Sequence, residues 1–177
     1  MTRLEYLFRQ YDTLLGWYRQ SEDKARFLVT LNTLVVGAIN GLVFVGADHL
    51  QAVRSSYSTT LWLTLGACGA ALLGSYLYVL RAMWPRHHAG EAPTTLDERL
   101  WFFGDIAGMS RETHREAMAG WSEARLETTL VAQNHTLSRN VWIKHEALNI
   151  AIALSILAYI LLFALGFLYA ITVVGGP

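Results

Sequence analysis

The sequence is short of the residues on which several classes of protein depend. It has one cysteine, Cys68, so it can form no internal disulfide, and its Cys and His residues lack the spacing of a metal site. It has only three prolines, and no run of alternating apolar and polar residues predicts a strand. These absences exclude a disulfide scaffold and argue against a β-roll or a Rossmann fold, which leaves a helical protein.

An excess of charge is also missing. The 177 residues include 14 basic and 14 acidic side chains, so the formal net charge is zero. A domain that binds DNA or RNA needs a basic face that displaces the counterions of the phosphates. We therefore expect no nucleic acid among the partners of this chain.

What the chain has instead is three long apolar stretches. Each contains at least the roughly 20 apolar residues that about 30 Å of hydrocarbon requires, so we expect three transmembrane helices. The predicted fold is an all-α membrane protein whose cytoplasmic helical bundle comprises the N-terminal helix and the connection between spans two and three. The predicted segments are an N-terminal helix (1–26), transmembrane helix 1 (27–46), an outer hairpin (47–60), transmembrane helix 2 (61–83), a cytoplasmic sensor region (84–146) and transmembrane helix 3 (147–174).

The basic residues predict the orientation of the chain. Five of them precede the first span, only Arg54 lies between spans one and two, and none follows the third span. By the positive-inside rule, the N-terminus and residues 84–146 are cytoplasmic. The first apolar run is too long for a cleaved signal peptide, so we expect it to remain as a membrane anchor.

The cytoplasmic segments have the pattern of helices. Leu4, Phe8, Tyr11, Leu15 and Tyr18 recur at steps of three and four, which predicts one continuous helix from about Leu4 into the membrane. Residues 95–98 form a capping box that should open a short helix ending at Gly104. Ser110 should cap a longer helix that runs into the third span, with Gly120 as its only weak point.

Several short motifs, taken in their order along the chain, resemble a known family. They are Asp23-Lys24-Ala25 before the first span, Asn32 just inside it, the phrase WFFGDIAGMS at 101–110, and the series Gln133, Ser138 and Lys144. The chain resembles the transmembrane effectors of bacterial Pycsar antiphage systems, the PycTM family. This resemblance implies a partner nucleotidyl cyclase that makes cyclic CMP or cyclic UMP on phage infection. It also implies an effector that impairs the bacterial inner (plasma) membrane and so causes abortive infection.

Candidate ligand-binding residues lie in the cytoplasmic helices. Asn134 and Lys144 interrupt an apolar seam of helical period that runs from Leu130 to Leu148, and they could contact a base edge and a phosphate. Arg111 follows Ser110 at a helix start, where backbone donors favour an anion. Trp101 could stack on a pyrimidine, and Asp23, next to Lys24, could accept from a ribose hydroxyl or a cytosine amine.

Each candidate also has a purely structural interpretation. An Asn in a helical seam fixes register or oligomeric state, a membrane-proximal Lys extends to lipid headgroups, and aromatic residues fill a core. Asp23 and Lys24 could simply form an ion pair.

Polar and small residues mark one side of the first span. Thr30, Thr33, Gly37, Asn40 and Gly41 form this first-span stripe, which predicts helix association within the chain or in a homo-oligomer. The stripe could line a conductive path or merely serve packing. No ionisable residue lies deep in any span, which argues against a proton relay or a coupled transporter.

Enzymatic interpretations have little support. No nucleophile, base or carboxylate pair occurs in a motif context, so we expect no catalytic residue, no cofactor and no metal, and a membrane-bound hydrolase is a weak alternative. The second functional hypothesis is a non-signalling membrane scaffold or toxin subunit whose cytoplasmic helices bind a protein partner.

Overall fold

The computed structural model describes residues 1–44, 59–84, 100 and 103–174, and the helices within them account for nearly all of these residues. No strand occurs in these ranges, so the all-α prediction is confirmed. In chain order the helices are α1 (Arg3–Phe44), α2 (Thr59–Met83), α3 (Phe103–Gly108), α4 (Arg111–Ala119) and α5 (Glu123–Val174).

The first helix is continuous from residue 3 to residue 44, as its uninterrupted pattern predicted. Its first turn is closed by reciprocal bonds: the Thr2 amide donates to Glu5 Oε2 (2.8 Å), and the Glu5 amide donates to Thr2 Oγ1 (3.2 Å). Its buried positions include Leu7, Leu14 and Ser21, one heptad apart. The apolar series predicted from the sequence, which includes Phe8, is therefore not the buried face of α1, since Phe8 is exposed. The buried positions lie on an adjacent face of the helix.

The prediction of one unbroken helix from Ser110 into the third span is wrong. Ser110 does cap a helix, because its Oγ accepts from the Thr113 amide at 3.1 Å, but that helix ends at Gly120. Ser122 Oγ then accepts from the Arg125 amide (3.4 Å) as α5 begins. The Arg125 guanidinium closes the break by donating to the Gly120 carbonyl at 2.8 Å. The weak point at Gly120 is thus a true helix end.

The predicted end of the short aromatic helix is also wrong. Gly104 lies inside α3, which continues to Gly108. The capping box predicted at 95–98 lies outside the described residues.

The chain divides into two compact units, each formed from two separate stretches of the chain. The first is Met1–Ser21 with Trp84–Lys144, and we call it the charged unit. The second is Glu22–Met83 with His145–Pro177, and we call it the apolar unit.

Two of the described helices are long and apolar enough to cross a membrane. They are α2, Thr59–Met83, and the stretch Glu123–Leu168 of α5. Only 28% and 17% of their most apolar windows are buried, whereas the core helix of a soluble protein would be mostly buried. The predicted first span, 27–46, reaches past the described residues and stays a prediction.

The apolar unit packs through seams of heptad spacing. Two clusters of buried residues form its core, and small residues are prominent in both. Their members are Ala25, Leu28, Val79, Ala82, Ala147, Leu148 and Ala151 in one, and Cys68, Ala71, Leu72 and Ala158 in the other. Alternating steps of three and four along α2 and α5 are typical of knobs-into-holes packing.

Candidate functional site

The core of the apolar unit contains a polar cluster in the middle of its apolar seams. Asn32 of α1, Ser75 of α2 and Ser155 of α5 are each 0–1% exposed, and half-buried Tyr159 lies one turn after Ser155. We call these four residues the polar cluster. Each occupies or borders a seam position that would otherwise be apolar. Each of the three described helices of the unit therefore contributes at least one polar group to the core.

The hydrogen bonds of the polar cluster close into a ring. Asn32 Nδ2 donates to Ser75 Oγ (3.0 Å), Ser75 and Ser155 hydroxyls are 2.7 Å apart, and Ser155 Oγ donates to Asn32 Oδ1 (3.1 Å). Ser155 uses its single hydrogen on Asn32, so Ser75 must be the donor to Ser155. The ring therefore runs in one direction, and Tyr159 Oη adds a second donor to Asn32 Oδ1 at 2.6 Å.

This arrangement leaves no oxygen of the polar cluster without a partner. Bonds between polar side chains of membrane helices contribute about 0.6 kcal/mol each on average, with a maximum near 1.7 kcal/mol. A closed network has a further advantage, because its bonds polarise one another in a medium of low dielectric constant. The polar cluster therefore joins α1, α2 and α5 in this unit through hydrogen bonds.

Sequence reasoning did not find the polar cluster, although a signal for it exists. It named Asn32 only as part of the family resemblance and did not name Ser75, Ser155 or Tyr159. Extending the heptad seams through the spans would have placed Asn32, Ser75 and Ser155 at buried positions.

The first-span stripe faces away from this core. Gly37 and Asn40 are exposed, and a Cβ added at Gly37 would meet no atom within 4 Å. Thr33 is exposed too, and its hydroxyl lies 2.9 Å from the Tyr76 hydroxyl. Gly41 belongs to α1, but its surroundings are outside the described part of the chain. The close approach expected within the chain occurs instead at Gly74, where a Cβ would lie 3.1 Å from Leu154 Cδ1.

In the charged unit, Asn134 lies between α5 and α1. It is 4% exposed, and its Nδ2 donates to the Leu7 carbonyl (3.1 Å) and to Gln10 Oε1 (3.2 Å). Its Oδ1 is buried and has no hydrogen-bond partner in the described chain. The amide thus joins the two helices while one of its atoms stays unsatisfied.

Lys144 is the other polar residue of the predicted seam, and it too is buried. It is 2% exposed, and its Nζ lies 3.8 Å from the centre of the Tyr18 ring. A cation over an aromatic face is stabilised by about 2 kcal/mol or more when water is excluded. Lys144 therefore does not extend outward to lipid headgroups, which was the structural alternative considered for it.

Two more buried oxygens of the charged unit have no hydrogen-bond partner in the part of the chain that the structure describes. They are Asp105 Oδ2 in α3 and Asn140 Oδ1 in α5. All three unsatisfied side-chain atoms among the described residues belong to the charged unit, and an unsatisfied buried polar atom costs about 1–3 kcal/mol. Such atoms mark places where a ligand could supply the missing bond.

The remaining sequence candidates that the structure describes are exposed. Arg111 is exposed in the first turn of α4, and Asp23 and Lys24 are exposed on α1. No ion pair joins Asp23 to Lys24 in the described ranges. Trp101 lies outside the described residues.

The chemistry available at these positions is that of binding. No group of three or more His, Cys, Asp or Glu residues that could hold a metal ion occurs among the residues described. A buried ammonium can attract an anion, and a buried amide oxygen can accept from an N–H or O–H group.

Comparison with known proteins gives one match. A family model described as a Pycsar effector protein domain matches residues 6–171, which is almost the whole chain. No curated protein and no solved structure matches it.

Proposed function

We propose that this chain, which belongs to the Pycsar effector family, senses a cyclic pyrimidine nucleotide in its charged unit and impairs the bacterial inner membrane through its apolar unit. Membership in the family makes it an effector of antiphage defence and confirms the resemblance noted in its motifs. It also implies a cyclic nucleotide signal made by a partner cyclase. The specific steps that follow are our proposal.

The proposed topology has three spans with a cytoplasmic N-terminus. The distribution of basic residues supports it, because all of them except Arg54 lie on one side of the apolar stretches. Under this topology the charged unit lies in the cytoplasm, where a nucleotide made by a cyclase would be available. Inhibition of growth would then follow from damage to the inner membrane, the event called abortive infection.

The observation that carries the sensing proposal is the unsatisfied Asn134 Oδ1 on the same helix as the buried Lys144. An Asn that serves only packing stabilises the fold most when all its polar atoms are hydrogen-bonded. Asn134 instead has one acceptor, Oδ1, without a hydrogen-bond partner in the described chain. Lys144 lies ten residues further along α5, roughly 15 Å at the rise of an α-helix. The two side chains offer a ligand a hydrogen-bond acceptor and a cation, respectively.

In this proposal Lys144 binds the phosphate of the nucleotide. The ammonium is already desolvated over the Tyr18 ring, so an anion reaching it would form a charge-assisted bond without much further loss of hydration. Arg111, Asp23, Lys24 and Trp101 remain secondary candidates for contacts to the phosphate, the ribose or the base.

We propose that the chain impairs the membrane when several copies associate through the first-span stripe. An exposed Asn40 in hydrocarbon needs a partner, and exposed Gly37 permits a second helix to approach closely. We therefore propose a homo-oligomer in which α1 of one copy meets α1 of another. Whether damage follows from a pore or from distortion of the bilayer, assembly is the common requirement.

The test is calorimetric titration of cyclic CMP and cyclic UMP into the purified full-length chain in detergent, together with dye release from liposomes that contain it. The proposal expects binding of at least one nucleotide and nucleotide-dependent release. If neither nucleotide binds, the scaffold or toxin-subunit alternative takes its place. Nucleotide binding without release would retain the sensor and refute the assigned membrane activity.

A further inference from the structure

In the apolar unit, the charged residues nearest the apolar stretches lie at one level. They are Arg26 on α1, Arg81 on α2 and Glu146 on α5, and all three are exposed. On the apolar side of these positions, the described residues of the three helices include no Asp, Glu, Lys or Arg. Each of the three is adjacent in sequence to the innermost residue that its helix contributes to one buried cluster, namely Ala25, Ala82 and Ala147. We call the plane through these positions the charge boundary. It separates charged from apolar surface as the edge of the hydrocarbon would.

The length of α2 matches one thickness of hydrocarbon measured from the charge boundary. Trp62, near the start of α2, lies 19 residues before Arg81. At the rise of an α-helix this is about 28 Å, against about 30 Å for the hydrocarbon core of a bilayer. Trp62 is exposed, and tryptophan is enriched where hydrocarbon meets water because its ring is apolar and its N–H is polar. Trp62 therefore lies where the outer edge of the hydrocarbon is expected.

Two more tryptophans lie just on the charged side of the charge boundary. Trp84 follows the last residue of α2 directly, three residues past Arg81, and Trp142 lies four residues before Glu146 on α5. Their side chains are 70% and 71% exposed. Four helical residues rise about 6 Å, and the headgroup layer on each side of a bilayer is about 5–8 Å thick. Both indoles thus fall within the depth of that layer.

We infer that the charge boundary is the inner edge of the hydrocarbon, and that Trp84 and Trp142 anchor the chain among the phospholipid headgroups of the inner leaflet. This inference rests on the topology proposed above and adds to it where the membrane crosses each helix. It also locates the proposed phosphate site. Lys144 lies between Trp142 and Glu146 on α5, so a nucleotide bound to it lies at the level of the headgroups.

Trp17 provides a matched control in the same chain. Like Trp84 and Trp142, it is an exposed tryptophan of the charged unit. It lies nine residues before Arg26 on α1, which is about 13 Å from the charge boundary and beyond the headgroup layer. We therefore expect the Trp17 side chain to lie in water.

The experiment measures the depth of single tryptophans in liposomes of phosphatidylglycerol and phosphatidylethanolamine that contain the full-length chain. Trp84→Phe, Trp142→Phe and Trp17→Phe are each compared with the native chain, so that the difference in fluorescence gives the emission of one indole. All three side chains are exposed, so phenylalanine should leave the fold intact. Lipids brominated next to the headgroup, or at the end of the acyl chain, quench indoles at their own depth, and iodide quenches indoles in water.

We expect the emission of Trp84 and Trp142 to be quenched strongly by lipid brominated next to the headgroup and weakly by lipid brominated at the end of the acyl chain. Iodide alone should quench Trp17. If iodide alone also quenches Trp84 and Trp142, or if Trp17 responds to the brominated lipids as they do, the inference is overturned while quenching of the remaining emission by lipid still supports the spans. If neither lipid quenches any emission of the native chain, the proposed topology fails together with the inference.

Discussion

The two units of this chain treat their buried polar groups in opposite ways. In the apolar unit, Asn32, Ser75 and Ser155 lie in an apolar core and bond to one another in a closed ring. In the charged unit, Asn134 is also buried but has one oxygen without a hydrogen-bond partner among the described residues, as do Asp105 and Asn140. Burial alone therefore does not distinguish the two regions, whereas completion of the hydrogen bonds does.

In the proposed topology, which puts only the apolar unit in the hydrocarbon of the membrane, the difference follows from what surrounds each unit. A polar side chain in hydrocarbon cannot form hydrogen bonds to water. It is therefore tolerated there only where polar groups of other helices form hydrogen bonds with it. Outside the hydrocarbon, a buried oxygen without a hydrogen bond lowers the stability of the fold by about 1–3 kcal/mol. A ligand that donates a hydrogen bond to this oxygen offsets that loss. We accordingly assign packing of the spans to the polar cluster and ligand recognition to the charged unit.

The largest effect should come from Asn32→Leu. The substitution keeps the size of the side chain but removes three hydrogen bonds, to Ser75 and from Ser155 and Tyr159. We expect the free energy of unfolding in detergent to fall by about 2–4 kcal/mol. Asn40→Leu is the matched control in the same helix, since Asn40 is exposed, and it should leave that free energy unchanged. Equal values for the two variants would mean that the ring contributes nothing.

Lys144→Met should have the next largest effect, on affinity. The apolar replacement fills the same space over Tyr18 but cannot attract a phosphate. Loss of a charge-assisted bond worth roughly 1.5–3 kcal/mol predicts binding of the cyclic nucleotide weaker by about ten-fold to more than a hundred-fold. Lys144→Arg should restore binding only in part, because a planar guanidinium does not replace a compact ammonium in a packed site. Calorimetry on the folded variants measures this, and unchanged affinity in Lys144→Met would move the phosphate site elsewhere.

Asn134→Leu should abolish nucleotide-dependent dye release while changing the free energy of unfolding little. It removes two bonds to α1 but also an unsatisfied oxygen, so we expect the free energy of unfolding to change by less than about 1 kcal/mol. The same chemical change at Asn32 should cost several times more. Nucleotide-dependent dye release should nevertheless be lost in Asn134→Leu. A loss of stability as large as that of Asn32→Leu would show that Asn134 is chiefly structural.

Gly37→Leu should have the smallest effect on the single chain. A Cβ at Gly37 would meet no atom within 4 Å, so unfolding of the monomer should be unaffected. Chemical crosslinking in liposomes and killing of host cells should both decline if α1 helices meet at this position. Wild-type crosslinking and full killing would indicate that the first-span stripe faces lipid.

Much of the fold was predictable because helix period and apolar length are local properties of a sequence. The all-α class, the continuous α1, the cap at Ser110 and the burial of Asn134 and Lys144 all follow from spacing along one helix. The helix break after Gly120 was missed because it depends on Ser122 and Arg125 completing the bonds at both new ends.

The candidate sites were less predictable, because they depend on partners distant in sequence. Asn32 and Ser155 are 123 residues apart and belong to one ring. Likewise the unsatisfied oxygen of Asn134 could be recognised only after its Nδ2 had been paired with Leu7 and Gln10. Sequence period predicted the buried face around Asn134, but in the first span it predicted a stripe whose described members are exposed. In neither unit did it show which polar atoms would be paired.

Amide hydrogen exchange on the full-length chain, with and without a saturating concentration of the cyclic nucleotide that binds, tests the assignment of the two units most directly. The account predicts slower exchange on nucleotide addition at residues 4–14 of α1 and 130–144 of α5, around Asn134 and Lys144. Exchange in these segments that is identical with and without bound nucleotide, or protection confined to residues around the polar cluster, would contradict it.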